Sequence, residues 1–351
     1  MSFFKKKKDV IGLDIGSNSI KLVQLAETKK NFKLVKLGIM QLQPQSIADG
    51  NIVNHAAVTN AIKELISHHG IKVKDVVSAL TGNSVIIKKV NLSVMTEDEL
   101  AESIQWEAEQ YIPFPINEVN IDFQILGQDD KGTMDVVLVA VKKDVINDYV
   151  HVIKGAEMNP TVIDVDSFAL ENMFEANYPT TPDEDIIIIN IGAAVMSVTV
   201  LKGGVTVFTR AVAMGGNLIT YKIQKLLNIS FKDAEMLKIK GQMKGMEGSM
   251  LKPVIDESLD DIAQEIKKSV DFYLSGAMGG YVNRIYLSGG CSKTKGLSDR
   301  IREVTGLPVE TINPFKGVEY DRKSFDPKYI EETAPLFAVA VGIAMRMDGN
   351  R

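Results

Sequence analysis

The sequence predicts an α/β protein built as two lobes, the first interrupted by a smaller α+β unit. Three stretches carry that prediction. Residues 10–25, VIGLDIGSNSIKLVQL, run from an apolar segment through a glycine-and-serine turn into a second apolar segment, the pattern of a β-hairpin. Residues 186–201, IIIINIGAAVMSVTVL, repeat it 176 residues further on, with Asn190 in the place of Asp14 and Gly192 in the place of Gly16. Residues 284–297, RIYLSGGCSKTKGL, read as a short strand ending in Ser288-Gly289-Gly290, with a helix starting near 294–297. An echo at half the chain length points to two similar lobes, each opening on a hairpin. The 351 residues are enough for two domains or lobes.

Taken in order, the first hairpin is followed by a strand over 31–40 and by a helix over 58–69, with Val58, Ile62, Leu65 and Ile66 at helical spacing. Short β-rich runs at 75–80 and 85–90 flank Thr81-Gly82-Asn83. The helix over 96–112 opens with Thr96 and Glu99 in capping-box positions and ends at Pro113. Strands at 119–126 and 134–141, a helix over 143–158 and a strand at 161–166 complete the section, so about 85–163 reads as the inserted unit. Residues 178–185, YPTTPDED, form a proline-rich acidic link.

Beyond the link, a strand at 204–211 leads through Met214-Gly215-Gly216 into helices over 218–227 and 231–240, then a glycine- and methionine-rich loop at 241–248. The long helix over 253–274 carries an apolar stripe from Ile255 to Tyr273 that suits core packing. A last helix over 334–346 has small residues at Ala338, Ala340, Gly342 and Ala344, suited to close packing at a lobe junction. The expected organisation is a first lobe over 1–180, a second over 181–334 with a small subdomain at about 221–268, and a C-terminal helix in 335–351 packing back on the first lobe.

Composition narrows the function classes. A 45% hydrophobic and 24% charged chain is ordinary for a soluble globular protein. A net charge of −5 argues against a dedicated nucleic-acid binder. The single cysteine, Cys291, excludes an internal disulfide and suits a reducing compartment, and the four histidines form no zinc pattern. The N-terminal MSFFKKKKDV has charges without the apolar core of a signal peptide. Its Lys5–Lys8 run fits either a solvated tail or a contact with an anionic membrane.

The three stretches also suggest chemistry. Gly16 with Ser17, Asn18 and Ser19 can turn successive backbone N–H groups toward a phosphate. Asp14 at the strand end can hold a metal-bound water, and Lys21 can meet phosphate charge. An ordinary hairpin with a surface acid fits that stretch equally well. Glycines at a strand end, as at 289 and 290, let a phosphate or flat ligand approach the backbone. A plain strand-to-helix turn fits there too.

Together and in this order, the Asp-Ile-Gly hairpin, the second Ile-Gly hairpin and the Ser-Gly-Gly strand end resemble the nucleotide-binding signature of the actin/Hsp70/sugar-kinase superfamily. Within it the chain is similar to the PilM family of type IV pilus assembly, itself related to the division protein FtsA. The resemblance rests on DIGSNSIK (14–21), WEAEQYIPFP (106–115), RAVAMGG (210–216), AEMLK (234–238) and LSGG (287–290). It implies a two-lobed actin-like/Hsp70-type ATPase fold closing over ATP or ADP with Mg²⁺. By that resemblance Asp14, Gly16, Ser17, Asn18, Ser19 and Lys21 form one phosphate hairpin, with Asp14 near the Mg²⁺ waters. Asn190, Gly192 and Ala193 belong to the second hairpin, and Gly215 and Gly216 line the cleft beneath the phosphates. Glu235 and Lys238 approach the ribose and base, and Gly289 and Gly290 flank adenosine.

The resemblance further implies a cytoplasmic protein held at the inner membrane through partners. Those partners are the N-terminal cytoplasmic peptide of PilN, the PilN/PilO inner-membrane complex, and the pilus motor ATPases and platform protein, with self-association open. Tyr111, Ile112 and Phe114 are the expected groove residues for the PilN peptide. One departure stands out: actin-like ATPases usually carry an acid where this chain has Asn190. Asparagine hydrogen-bonds but supplies no charge, which leads us to expect ATP binding with slow or absent hydrolysis. A superfamily small-molecule kinase needs a general base, and no acid outside the phosphate motifs stands out in the sequence. An FtsA-like division protein is the other alternative, and the short polar end MRMDGNR argues against its terminal amphipathic helix.

Overall fold

The computed structural model describes residues 9–346 apart from 30, 49, 129–131, 183, 244–245 and 277–280. The Lys5–Lys8 run and part of the 241–248 loop lie outside the described residues.

β1 (Ile11–Ile15), β2 (Ser19–Glu27) and β3 (Phe32–Gln41) form an antiparallel meander. After the small ribbon β4 (Ile47–Ala48) and β5 (Asn51–Ile52), α1 (His55–His68) crosses over to β6 (Asp75–Leu80), parallel to β1. β7 (Val85–Ser93), α2 (Glu97–Glu109), β8 (Val119–Gln128) and β9 (Thr133–Lys142) follow. They make a separate three-stranded sheet, ordered β7-β9-β8, with its own apolar core under α2. The chain then rejoins the first sheet through α3 (Lys143–Gly155) and β10 (Asn159–Val165), and α4 (Asp166–Asn177) ends the segment.

The second half repeats the opening with β11 (Asp185–Ile191), β12 (Met196–Lys202) and β13 (Val205–Val212). Next come α5 (Asn217–Leu227), α6 (Phe231–Lys240), the two-residue strands β14 (Gln242–Met243) and β15 (Met246–Glu247), and α7 (Lys252–Ser275). β16 (Val282–Ser288), α8 (Leu297–Thr305), β17 (Val309–Thr311), β18 (Val318–Glu319), α9 (Pro327–Thr333) and α10 (Ala338–Met345) complete the chain. The two large sheets are ordered β10-β6-β1-β2-β3-β18 and β13-β12-β11-β16-β17.

Alternation along β11 explains how they stack. Successive strand side chains point to opposite faces, and all five isoleucines of β11 are buried. Ile186 and Ile188 enter a core shared with α4, α10 and the first sheet, whereas Ile187, Ile189 and Ile191 enter the core under α7. On the first sheet, Ile11, Leu13 and Ile15 face α1 and α3. The layers therefore run helices, sheet, the α4/α10 pair, sheet, helices. A strand covered on both faces reads as a continuous apolar run, which is what IIIINI is.

The capping box expected at Thr96 is present: Glu99 N–H donates to Thr96 Oγ1 at 3.3 Å, and Thr96 N–H to Glu99 Oε2 at 2.8 Å. Four features differ from the sequence reading. α4 went unread because most of its circumference is buried, leaving little amphipathic contrast. The three-stranded unit spans 85–142, short of the expected 163, because α3 and β10 pack into the first lobe. The chain returns to the first sheet at β18, which pairs with β3, before residue 335. Residues 334–346 are not one helix: a 3₁₀ turn, Ala334–Phe337, precedes α10, as expected where Pro335 removes a backbone donor.

α10 lies between α4 and β1 with main chain against main chain. A Cβ at Gly342 would run into the carbonyl of Ala169 in α4, and one at Gly12 into the carbonyl of Ala340 and, at 2.8 Å, the Ala344 nitrogen. Overpacking typically costs about 1–3 kcal/mol, and here the obstacle is backbone. Gly342→Ala is expected to lower the unfolding free energy measured by urea denaturation by about 3 kcal/mol or more. Gly127→Ala, where an added carbon meets nothing within 4 Å, should leave it unchanged.

Candidate functional site

The first hairpin closes where Gly16 N–H donates to Ser19 O at 3.2 Å. Its tip is tied to the end of β3, where Leu42 N–H donates to Asn18 O at 2.9 Å. Lys21 Nζ stands 3.1 Å from Asp14 Oδ2, both side chains largely buried. A Cβ on Gly16 would lie 3.0 Å from that ammonium, so the glycine makes room for the ion pair.

The second hairpin closes in the same way, Gly192 N–H donating to Val195 O at 3.0 Å. Two amides at the start of α5 then grip it: Gly216 N–H donates to Gly192 O at 2.9 Å and Asn217 N–H to Ala193 O at 2.8 Å. Gly215 is pressed beneath, where a Cβ would stand 2.5 Å from Gly192 O and 2.7 Å from Ala193 O. The two tips face one cavity of about 390 Å³. Ser17 and Asn18 line it from the first hairpin and Ala193 and Ala194 from the second, with Gly215, Tyr221 and Phe231 also in its wall. This volume is in the range of small-molecule sites.

Glu235 and Lys238 form a neighbouring group. Their ion pair is 2.6 Å long, and Lys238 Nζ also donates to Gly216 O at 3.1 Å and Thr220 Oγ1 at 2.9 Å, while Thr220 Oγ1 donates to Glu235. A Cβ on Gly216 would meet Lys238 Nζ at 3.4 Å and Cys291 Cβ at 3.5 Å, so this group adjoins the glycine turn after β16. There Gly289 has φ +83°, and a Cβ would collide with Ile191 O and lie 2.8 Å from Asn190 Oδ1. Only glycine satisfies both conditions at once.

The structure thus gathers the expected residues into two adjoining groups. Ser17, Asn18, Ala193 and Gly215 line the cavity; Glu235, Lys238 and Gly216 meet where α6 packs against the start of α5, beside Cys291. Asp14, Lys21 and Gly16 stand behind the first tip, and Gly290 follows the turn with open space around it. Ser19 is buried at the start of β2 and contributes its carbonyl to the turn. Asn190 accepts from Ser288 Oγ at 3.2 Å, so its side-chain oxygen braces β11 against β16. Ile112 is 6% exposed within the core of the three-stranded unit. Tyr111 and Phe114 are partly buried against the same core, Phe114 with Lys142 Nζ 4.5 Å above its ring.

One acid escaped the sequence reading. Asp166, the first residue of α4, is buried and accepts from Thr81 Oγ1 at 2.8 Å. Burial pushes its carboxyl well above the usual range, with the charge of Asp14 adding to the effect. Asp14 and Asp166 also raise the buried Tyr149 phenol after desolvation, and its hydroxyl donates to Ile15 O at 3.3 Å. Asp166 follows a strand just as Asp14 ends one, and that parallel was the available signal.

Comparison with known proteins places this architecture. A family model described as type IV pilus assembly protein PilM matches residues 12–348. The solved PilM-PilN type IV pilus biogenesis complex has a chain 29% identical to this one, superposing with a TM-score of 0.87 over 97% of this chain and 99% of that one. MreB5 of Spiroplasma citri, solved with AMPPNP, superposes with a TM-score of 0.52 at 14% identity, covering 96% and 95% of the two chains. The cell division protein FtsA of Streptococcus pneumoniae (serotype 2, strain D39) is 24% identical over 355 residues, 86% of this chain and 75% of that protein. The fold is the two-lobed actin-like ATPase fold.

The Asp166 environment has a signed consequence. Its folded pKa lies above the unfolded value of 3.8, so folded protein binds this proton more readily. Its contribution to stability is therefore full below about pH 4 and is lost as pH rises through the folded pKa. Asp166→Asn is expected to raise the melting temperature at pH 8, with the gain shrinking toward pH 4 in a thermal-denaturation series.

Proposed function

Because the chain belongs to the type IV pilus assembly protein PilM family, we propose that it is the ATP-binding component that links the pilus inner-membrane complex to the cytoplasmic machinery by holding the N-terminal tail of PilN. The observation that carries the nucleotide reading is the single cavity faced by both hairpin tips, each presented by a different sheet. In this reading the backbone N–H groups of Ser17 and Asn18 and of Ala193, at the tips that the Gly16 and Gly192 amides close, receive the phosphates, with Lys21 behind the first tip. Glu235, Lys238 and the Gly289-Gly290 turn border the nucleoside end. Asp14 is a largely buried carboxylate at a strand end, the donor type that Mg²⁺ keeps through its water shell. The ion would supply charge neutralisation at the phosphates.

Turnover is slow in this reading. Asn190 brings no charge and its side-chain oxygen is engaged by Ser288, so the acid usual at that position is missing. Asp166, whose charge interacts with that of Asp14, is the acid left to orient a water. A fluorescent ATP analogue with Mg²⁺ is expected to bind saturably while steady-state hydrolysis stays below about 1 s⁻¹. Gly215→Val should abolish binding by driving its side chain into the Gly192 and Ala193 carbonyls. Absent binding, or turnover above that rate, overturns the reading.

The partner side is supported by the similarity to the PilM-PilN complex. The three-stranded unit offers partly buried Tyr111 and Phe114, and on α2 it presents Trp106 76% exposed. Exposed aromatics of this kind anchor interfaces. Among the described residues no helix is long and apolar enough to cross a membrane, which accords with attachment through PilN and PilO. Contacts with the motor ATPases and platform protein belong to the same proposal. Trp106→Ala, a surface change, should keep the fold and weaken a PilN N-terminal peptide at least roughly fivefold in a calorimetric titration, since hot-spot truncations exceed about 1 kcal/mol. Unchanged affinity in both Trp106→Ala and Phe114→Asp removes this unit from the interface.

A further inference from the structure

The resemblance read from the sequence puts Lys238 beside the ribose and base. Its surroundings in the folded chain leave it no proton to offer there. A lysine ammonium has three protons and accepts no hydrogen bond. All three have protein acceptors: Glu235 Oε2 at 2.6 Å, Thr220 Oγ1 at 2.9 Å and Gly216 O at 3.1 Å. The ammonium is saturated before any ligand arrives.

The bond to Gly216 O reaches the second hairpin tip. That carbonyl belongs to the peptide group that also carries the Asn217 N–H, and this N–H donates to Ala193 O at 2.8 Å. One planar unit therefore has a cation on its oxygen and the tip on its nitrogen. Hydrogen bonds strung through one group polarise each other, so the charge at the carbonyl makes the Asn217 N–H a stronger donor. The preceding peptide group donates the Gly216 N–H to Gly192 O at 2.9 Å. Both bonds that grip the tip thus pass through the residue that Lys238 holds.

No other side chain does this work at Gly216 O. The Thr220 N–H of the first turn of α5 reaches it at 3.3 Å, just beyond the usual range of about 2.7–3.2 Å. Thr220 Oγ1 lies 3.2 Å away, but its single proton is committed to the shorter bond with Glu235. Thr220 is completely buried and, with Glu235, fixes the ammonium from two further sides. On α6, Phe231, Glu235 and Lys238 recur at i, i+4 and i+7 and so share one face, and Phe231 lines the cavity between the tips. One helix face therefore spans the cavity wall, the Glu235 carboxylate and the tie to the tip.

We propose that Lys238 is a positioning residue for the second phosphate tip and does not itself touch the nucleotide. It fixes the Gly216–Asn217 peptide, and through it Ala193, whose own amide is then held ready for phosphate. What the tip receives rests on the nucleotide reading above; the tie itself can be observed without nucleotide.

The test takes the full chain labelled with nitrogen-15, first with no nucleotide added. Lys238→Met keeps the length of the side chain and removes its charge and donors. It is expected to move the Asn217 amide proton upfield and to speed its exchange with solvent, as a weakened bond to Ala193 O requires. Lys238→Arg, which keeps a cation and its donors, should restore both. With ATP and Mg²⁺, Lys238→Met should weaken binding about tenfold, the scale of a hydrogen bond to a charged group. The factor should be the same in dilute and in concentrated salt, because screening acts on a charge that meets phosphate directly across solvent. Should Lys238→Met fail to fold, Lys238→Gln, which keeps a donor without the charge, is read for the same signs. An Asn217 amide that does not respond, an unchanged ATP affinity, or a loss that vanishes in concentrated salt would each overturn the proposal. If the wild type itself fails to bind ATP, the nucleotide reading falls and the phosphate role with it, while the Asn217 amide still decides whether the tie exists.

Discussion

At the centre of this molecule main chain lies directly against main chain, and the rest depends on those contacts. β11 ends against the Gly289 turn, the second hairpin tip rests on Gly215, and α10 is wedged between Ala169 of α4 and Gly12 of β1. A protein interior is packed at crystal density, so such contacts leave no room for even one added carbon. They hold two sheets at the separation at which one cavity receives both hairpin tips. They also make the hairpins parts of a shared frame: Gly216 and Asn217, which open α5, are bonded to the second tip. A shift of that helix would move the tip with it.

α4 is where the lobes are joined electrostatically as well as sterically. Its Glu171 carboxylate accepts from Thr206 N–H at 2.8 Å and from Thr206 Oγ1 at 2.5 Å, reaching β13 of the second sheet. Just before the helix, Asp164 pairs with Arg346 beyond α10. Burial raises the carboxyls of Asp164, Asp166 and Glu171, with Arg346, Thr81 and Thr206 respectively opposing the shift. Three acids on one short segment are kept inside because each has a specific hydrogen-bond partner, and removing a partner would leave a buried polar group unsatisfied. The segment that joins the lobes is thus also one whose carboxyls are shifted by their surroundings.

How legible this was depended on how local the controlling physics is. The hairpins were readable because turn chemistry lies within four residues, as with Gly16 and Ser19. The capping box of α2 was readable because Thr96 and Glu99 meet within one turn. α4 was not, since a helix buried around most of its surface carries no amphipathic signature. Ile112 and its neighbours Tyr111 and Phe114 are alike in sequence, and only packing shows that Ile112 is the one buried in the core. Asn190 was read as a missing acid, and the structure adds that its side-chain oxygen bonds Ser288 across to β16. The 163 boundary failed because β10 pairs with β6, a partner about 84 residues away.

By itself the sequence determined the two-lobed α/β plan, the positions of both hairpins and the glycine turn, and membership of a family of pilus-assembly proteins, since all of these reside in short ordered motifs and in the period of apolar residues. Tertiary structure alone decided that the two tips share one cavity, that the three-stranded unit ends at 142, and that Asp166 comes close enough to Asp14 for their charges to interact. Those facts join residues tens to hundreds of positions apart. No local pattern encodes them, because what brings such residues together is the burial of whole faces of sheet and helix, and that is a property of the folded chain.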